Sequence, residues 1–433
     1  MKYTLLVATL VSLLLTSCGD TKKETSDNFD YNVTQFEDIK ILRYQIPSWD
    51  NLTLKEQKLV YYLTQAGLEG RDIIWDQNYR HNLAIRKSFE QIYTTYQGDK
   101  QTQDWANFET YMKRVWFANG IHHHYSNAKM KPAFSADYLQ SLLADTGATL
   151  TSDAFAVLFN DKDAKKVNLT KDVDNVLLSA VNFYGPDVTT ADVENFYKAK
   201  ISPDPKRPLS YGLNSQLVKQ DGVLAERVYK SGGLYGAAID KIISWLEKAK
   251  AVAENQAQGE ALGLLIAYYK TGDLQTWDDY NVAWTSATDG NIDYINSFIE
   301  VYNDPVGYRG SYETVVQIKD FEMSQKMAVL SENAQWFEDN SPLMQAHKKA
   351  NVVGVTYKVV DVAGEAGDAS PSTPIGVNLP NANWIRAAVG SKSVSLGNII
   401  GAYNNAGGSG RLQEFVHDQN EYDLEKQYGQ VAD

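Results

Sequence analysis

Six histidines, a single cysteine and no G-x-S-x-G elbow bound the chemistry that the residues of this 433-residue chain suggest. A catalytic zinc helix carries two histidines on one face with a glutamate between them. None of His81, His122, His123, His124, His347 and His417 stands in an H-E-x-x-H or H-E-x-x-x-H frame. His122, His123 and His124 form the only cluster, but adjacent side chains point in different directions on a helix or a strand. At most two of them could share a metal, and they read better as loop histidines lining a groove. Gly407-Gly408-Ser409-Gly410 lacks the Lys-Ser/Thr that completes a phosphate loop, so it reads as a flexible connection. Cys18 is the sole thiol, and its place near the N-terminus suggests a lipid attachment point rather than a nucleophile.

The N-terminus has a charged start at Lys2, an apolar run from Tyr3 to Leu15, and then Thr16, Ser17 and Cys18. That is the layout of a bacterial lipoprotein signal, with Cys18 becoming the acylated terminus after cleavage. The run is shorter than the ~20 apolar residues of a membrane-spanning helix. Two or more acyl chains would hold the protein stably where one is marginal. Residues 1–18 are therefore assigned to the signal, and 19–30, polar and without an apolar period, to a flexible tether. The expected location is the bacterial cell envelope, lipid-anchored on the periplasmic side or at the outer membrane. No disulfide can form within the chain, so stability must come from a packed core. Its length suits two or three lobes, and 43% hydrophobic with 12% aromatic residues is ordinary globular composition. A net charge of -13 argues against nucleic-acid binding, which needs clustered Lys and Arg.

The elements that would position a site follow from hydrophobic period. Leu42, Tyr44 and Ile46 alternate with Arg43 and Gln45, which reads as a half-buried strand stopped by Pro47. Thr53 and Glu56 have capping-box spacing, so a helix should run from there toward Gly67. Ile239, Ile242, Ile243, Leu246 and Ala249 share one helical face, and the next helix should end at Gly272. Three prolines at 203, 205 and 208 place a loop there. Alternation at Tyr312, Thr314, Val316 and Ile318 predicts a strand, and Met323, Met327, Leu330, Ala334 and Phe337 predict one helix over 321–337. Val355, Tyr357 and Val359 predict a further strand, and Gly364 to Pro374 a loop. Strands on both sides of a helical middle suggest an α+β fold, predominantly helical.

Three stretches carry more than pattern. The run Phe298-Ile299-Glu300-Val301-Tyr302-Asn303-Asp304-Pro305-Val306-Gly307-Tyr308-Arg309-Gly310 resembles the segment F-I-E-x-Y-x-D-P-x-G-x-R-G of the dipeptidyl peptidase III family, a class of zinc exopeptidases. Gly376 to Asn381, then Arg386, then Val394-Ser395-Leu396-Gly397-Asn398 resemble its G-x-N-x-P-N…R…V-S-L-G-N segment. Trp245 to Lys250, with Gln258 and Gly259 beyond, resembles the helix leading into the first motif. Order and spacing agree over roughly residues 35 to 433.

The resemblance implies two lobes about a wide cleft, the lower one containing a β-barrel-like sheet plus helices and the upper one helical and mostly missing from this chain. It places the lower, substrate-binding lobe at 31–320, the start of the upper lobe at 321–350, a return to the lower sheet at 351–410 and a truncated zinc lobe from 411 to 433. Glu300 is implied as the anchor for a substrate's N-terminal amine, which is largely cationic at neutral pH. A carboxylate two residues from the scissile bond, roughly 7 Å along an extended chain, would restrict cleavage to dipeptide release. Tyr302 is implied as the hydroxyl that supports the carbonyl oxygen, and Asn378 and Asn381 as holders of the substrate backbone. Arg386 is either a cleft residue or an ion-pair partner. The family's H-E-x-x-G-H and E-E-x-R-A-E motifs are not in the sequence, so Zn2+ is expected in a full-length relative and not in this chain, which alone is expected to be inactive. Expected partners are short peptides and, through Cys18, a membrane. The alternative reading, a non-enzymatic ligand-binding surface lipoprotein, would explain Cys18, 27 Tyr and 9 Trp but not the ordered motifs.

Overall fold

The computed structural model describes residues 29–352, 355–406, 416 and 418–420. Cys18, the proposed tether as far as residue 28, His417 and Gly407 to Gly410 lie outside the described residues. A hairpin of β1 (Asn32–Phe36) and β2 (Ile39–Leu42) comes first, as a two-stranded sheet of its own. The strand expected to reach Ile46 therefore stops at Leu42. The backbone beyond it is satisfied by distant side chains instead of a ladder: Asn398 donates to the Gln45 carbonyl at 2.9 Å, and the Ser48 N–H donates to Asp361 at 2.9 Å. Tyr44 and Ile46 still pack on the main core from this irregular segment.

Helix α1 (Leu54–Glu69) starts with the expected capping box, in which Thr53 N–H donates to Glu56 at 2.7 Å and Glu56 N–H to the Thr53 hydroxyl at 3.4 Å. Helices α2 (Arg71–Asn78), α3 (Asn82–Thr95), α4 (Gln103–Phe117), α5 (Ala136–Thr146) and α6 (Ser152–Phe159) follow, and they enclose a second core around Ile85, Phe89, Phe108 and Met112. After α7 (Thr190–Lys198) comes the hairpin β3 (Ser215–Gln220) and β4 (Val223–Val228). Its two-residue turn, Asp221-Gly222, has positive φ at both positions, as a tight hairpin requires. Helix α8 (Gly236–Ala251) packs on α1 and α9 (Gln256–Thr271), and α9 and α10 (Leu274–Ser286) reach β5 through Tyr269–Asn296 and Trp284–Asp293 hydrogen bonds; α9 ends at Gly272 in a left-handed cap as the sequence predicts.

Strands β5 (Ile292–Phe298), β6 (Tyr312–Lys319), β7 (Val355–Gly367), β8 (Gly376–Leu379) and β9 (Ser391–Leu396) form one sheet in the order β5-β6-β7-β9-β8. Only the β7–β9 pair is parallel. Helices α11 (Phe321–Glu332) and α12 (Ala334–Asn340) lie between β6 and β7, α13 (Asn383–Ala388) between β8 and β9, and α14 (Gly397–Asn405) after β9. Among the described residues the sheet does not close into a barrel, because β5 and β8 are edges that do not pair. A cavity lined by Tyr294 and Asn296 of one edge and Leu379 of the other separates them. The two sides are tied instead by a side-chain bridge, Lys392 of β9 to Asp293 of β5 at 2.8 Å.

Three further differences from the sequence reading have packing causes. Strand β6 is buried on both faces rather than one: α1 covers the face of Tyr312 and Thr314 so closely that a Cβ on Gly67 would stand 2.4 Å from the Thr314 hydroxyl, and Glu313, Val315 and Gln317 are buried on the other. The helix expected over 321–337 breaks at Asn333, and of its five spaced apolar residues only Met327 is buried. The loop expected from Gly364 begins later, since β7 continues its pairing with β6 to Gly367, where φ is +74.

Candidate functional site

A cavity of about 590 Å³ opens between β5, the end of α10, the 209–213 loop and the segment after β8. The sequence motif around Glu300 builds its floor. Past the end of β5 the chain keeps pairing with the segment before β6, with Ile299 N–H donating to the Ser311 carbonyl at 3.1 Å and Ser311 N–H to the Glu300 carbonyl at 2.9 Å. Glu300 is thereby held in strand geometry at the cavity wall. The chain then reverses around Asp304, whose carboxylate accepts from the N–H groups of Val306, Tyr308 and Arg309 and from the Tyr184 hydroxyl at 2.7 Å. That single acid explains why the turn keeps its shape without a regular element.

Arg309 closes the turn from beneath. Its side chain is 0% exposed and lies over the rings of Tyr184 and Tyr197, at 5.1 and 4.8 Å, with Nη1 donating to the Gly212 carbonyl at 2.7 Å. It is a structural cation, set between aromatic faces that favour a guanidinium.

Glu300, Tyr302 and Asn381 are brought together on the cavity wall. Asn381 Nδ2 donates to Glu300 Oε1 at 3.2 Å. Burial pushes the Glu300 carboxyl up from its ordinary value, and the nearby Asp368 adds to this, while the Asn381 bond and the Arg386 charge oppose it. Tyr302 is 83% exposed, and its hydroxyl has no hydrogen-bond partner among the described residues. Asn378 is placed differently: its side chain does not line the cavity, and its carbonyl accepts from Arg386 at 2.7 Å. Arg386 also donates to the Pro380 carbonyl at 2.6 Å and to Asn381 at 3.4 Å. It has no ion-pair partner within 4.0 Å among the described residues. In this structure it clamps the 378–381 segment, two residues of which, Pro380 and Asn381, line the cavity.

Two groups escaped the sequence reading. Glu313, taken there as one alternating position of a half-buried strand, is only 8% exposed, and burial pushes its carboxyl up to about 8, with Asp368, Glu300 and Glu365 adding repulsion. Asp368, just beyond β7, accepts from Asn303 at 3.0 Å and faces the buried ammonium of Lys166. The sequence signal was an acid two residues before the apolar pair Val315 and Val316 of a strand. The aromatic lining was the other omission: Trp277, Tyr280 and Trp284 stand at i, i+3 and i+7 on α10, a one-faced spacing that the sequence does offer, and Tyr211 joins them from the 209–213 loop.

The raised Glu313 carboxyl has a consequence for stability. Between pH ~4.5 and ~8 the folded chain holds a proton that the unfolded chain has lost, so this group's contribution to stability declines as pH rises through that window, by roughly 1 kcal/mol per pH unit at most. Glu313→Gln should flatten the decline and raise the urea midpoint on the alkaline side. Parallel pH profiles for the two proteins would contradict the burial assignment.

None of the described histidines lines the cavity. His122 is 2% exposed with Nε2 at 2.9 Å from the Asp163 carbonyl, and His123 Nδ1 accepts from the N–H groups of Tyr125 and Ser126. These imidazoles shape their own loop, which corrects the groove-lining expectation. No group of three or more His, Cys, Asp or Glu is arranged to hold a metal among the described residues, so the residues present do not fit a zinc centre.

Comparison with known proteins gives a consistent picture. The sequence profile of peptidase family M49 matches residues 211–432. Dipeptidyl peptidase 3 of Homo sapiens is 31% identical over 168 residues, covering 39% of this chain and 22% of that protein. Dipeptidyl peptidase 3 of Dictyostelium discoideum is 24% identical over 386 residues, covering 82% of this chain and 54% of that protein. Among solved structures, DPP III from Caldithrix abyssi superposes with a TM-score of 0.60 at 23% identity, covering 82% of this chain and 57% of that one. Dipeptidyl-peptidase III from Corallococcus sp. strain EGB gives 0.61 at 18% identity, covering 84% and 57%. These two likenesses speak to the fold. The chain spans about half the length of these broader matches, and less of the human protein.

Proposed function

The chain belongs to peptidase family M49, and from that premise we propose that its cavity is the peptide-binding wall of a dipeptidyl peptidase, with Glu300 receiving the substrate's N-terminal ammonium. The observation that carries this reading is the pairing of Glu300 with Asn381 at the edge of an aromatic cavity, with the unpartnered Tyr302 hydroxyl two residues along. An ammonium ion entering there meets a carboxylate that burial and Asp368 have made unusually eager for a cation. The ammonium offsets the repulsion between Glu300 and Asp368.

The remaining residues divide the work of orientation. Asn381 holds the carboxylate in place and offers its amide to the peptide backbone. Arg386 acts through Asn378 and Asn381, fixing the segment against which an extended peptide would lie. The Tyr302 hydroxyl is free to donate to a substrate carbonyl oxygen, where a donor is worth most as charge develops. Binding and orientation are assigned to these residues. No described residue is assigned the hydrolytic step or the zinc that the family resemblance implies. Attachment to an envelope membrane through Cys18 belongs to the same proposal.

Free-amine and N-acetylated versions of one tetrapeptide test the reading. Titration calorimetry on the chain should register the free-amine peptide at least about tenfold more tightly, since acetylation removes the charge that Glu300 would recognise. Equal affinity for the two peptides would remove the amine anchor from the proposal. A purely aromatic binding pocket, as in a ligand-binding lipoprotein, would give that second outcome.

A further inference from the structure

Next to the cavity-lining Trp277, α10 carries an acid that the cavity does not use. Asp278 is 2% exposed and does not line that space. It faces the indole N–H of Trp384 on α13, although the two fall short of full hydrogen-bond geometry. Neither Asp278 Oδ2 nor Trp384 Nε1 has another partner among the described residues. A buried acceptor and a buried donor are costly when left unpaired, so each is the fitting partner for the other. A third segment holds the same ring: the Arg207 guanidinium lies over it at 5.1 Å from its centroid, a cation on an aromatic face. Arg207 precedes Leu209, Ser210 and Tyr211, where the loop begins to line the cavity.

Trp384 therefore joins α10, the 202–208 loop and α13, and α13 in turn controls the cavity wall. Arg386, on the same helix, donates to the Pro380 carbonyl at 2.6 Å and to the Asn378 carbonyl at 2.7 Å. Asn381, in the segment so clamped, donates to Glu300 at 3.2 Å. A displacement of α13 on α10 is thus passed to Asn381 and on to Glu300. The contact also senses protonation. Burial pushes the Asp278 carboxyl up to about 7, with Asp279 and Asp273 of its own helix adding repulsion and the Trp384 N–H opposing them. Arg207, with Asp204 3.9 Å from it, is the charge on the loop side, and Arg386 is the charge on α13. An ionised carboxylate holds an indole N–H more strongly than a neutral acid does.

We infer that Trp384 is a positioning residue for peptide recognition: docked on Asp278, it seats α13 against α10 and so sets where Asn381 holds Glu300. Trp384 itself touches no substrate in this scheme. Above about pH 7 the ionised Asp278 tightens the docking, and below it the docking slackens. The consequence for affinity rests on the amine-anchor role of Glu300, whereas the docking does not.

Indole N–H signals in heteronuclear NMR of the peptide-free chain read the docking directly. The Trp384 signal, identified by its loss in Trp384→Phe, should shift with a midpoint at about pH 7 and stop titrating in Asp278→Asn. Calorimetry with the free-amine tetrapeptide reads the consequence. Trp384→Phe keeps an aromatic face for Arg207 and loses the N–H. It should bind about tenfold more weakly than the parent at pH ~8 but only about twofold more weakly at pH ~6. Ionisation of Glu300 and of the peptide amine is common to both proteins and cancels in that ratio. A Trp384 signal that ignores pH, or a ratio equal at both pH values, overturns the inference. A titrating signal in a chain that Glu300→Gln leaves with parental affinity supports the docking and removes the Glu300 reading instead.

Discussion

Replacing Glu300 by glutamine should weaken binding of a free-amine tetrapeptide by roughly 30-fold to 1000-fold. The figure corresponds to about 2 to 4 kcal/mol, the range for removing one member of a charge-assisted pair in a partly dehydrated site. Glutamine keeps the shape and can still meet Asn381, whose Nδ2 lies 3.2 Å from Glu300 Oε1, so the loss should be one of charge rather than of fold. The pH dependence has a definite sign. Binding needs Glu300 ionised and the peptide amine protonated, so affinity should fall below the raised Glu300 value and again above pH ~8, where a free amine loses its proton. Calorimetry against pH measures both limbs. A variant that binds within twofold of the parent would relocate the anchor, and Glu313 or Asp368 would be the next carboxylate to examine.

Arg309→Met should cost about 3 to 5 kcal/mol of folding stability, the largest single loss expected in the turn that carries Glu300 and Tyr302. The guanidinium is 0% exposed, donates to the Gly212 carbonyl at 2.7 Å and lies within 4.0 Å of Glu226. Methionine fills part of the volume but leaves the Gly212 carbonyl only its longer bonds from Ser215, at 3.3 and 3.4 Å, and removes the cation facing Tyr184 and Tyr197. Lysine should rescue little, because a point ammonium cannot reproduce a planar fork between two rings. Guanidinium chloride unfolding gives the measurement. A loss below about 1 kcal/mol would mean that the turn is held by Asp304 alone.

How much of this was legible in the sequence depended on range. The Thr53–Glu56 box and the Gly272 cap are decided within four residues, and both stand where the pattern placed them. The segment after Leu42 failed because its hydrogen-bond partners, Asp361 and Asn398, are more than three hundred residues away, and no local alternation reports them. β6 was found as a strand, but its alternation could not show that the face opposite α1 is buried as well, so Glu313 was read as ordinary when it is a buried acid. In the site, the resemblance named Glu300, Tyr302 and Asn381, which do share one wall. It could not separate a contact from a support: Arg386 acts on the backbone of the 378–381 segment, and that depends on where three carbonyl and amide oxygens point. The aromatic lining was only partly hidden: Trp277, Tyr280 and Trp284 lie at one-faced spacing on α10, but no local pattern brings Tyr211 to them.

The central claim is that Glu300 reads the charge of a peptide's N-terminus. A thermodynamic cycle isolates it, combining Glu300→Gln with N-acetylation of the same tetrapeptide. The expected result is strong non-additivity: acetylation should cost the parent chain most of its affinity, cost the Glu300→Gln variant almost nothing, and leave the two proteins equal toward the acetylated peptide. If acetylation weakens both proteins by the same factor, the amine is recognised elsewhere and the account of this cavity as an exopeptidase's substrate wall fails.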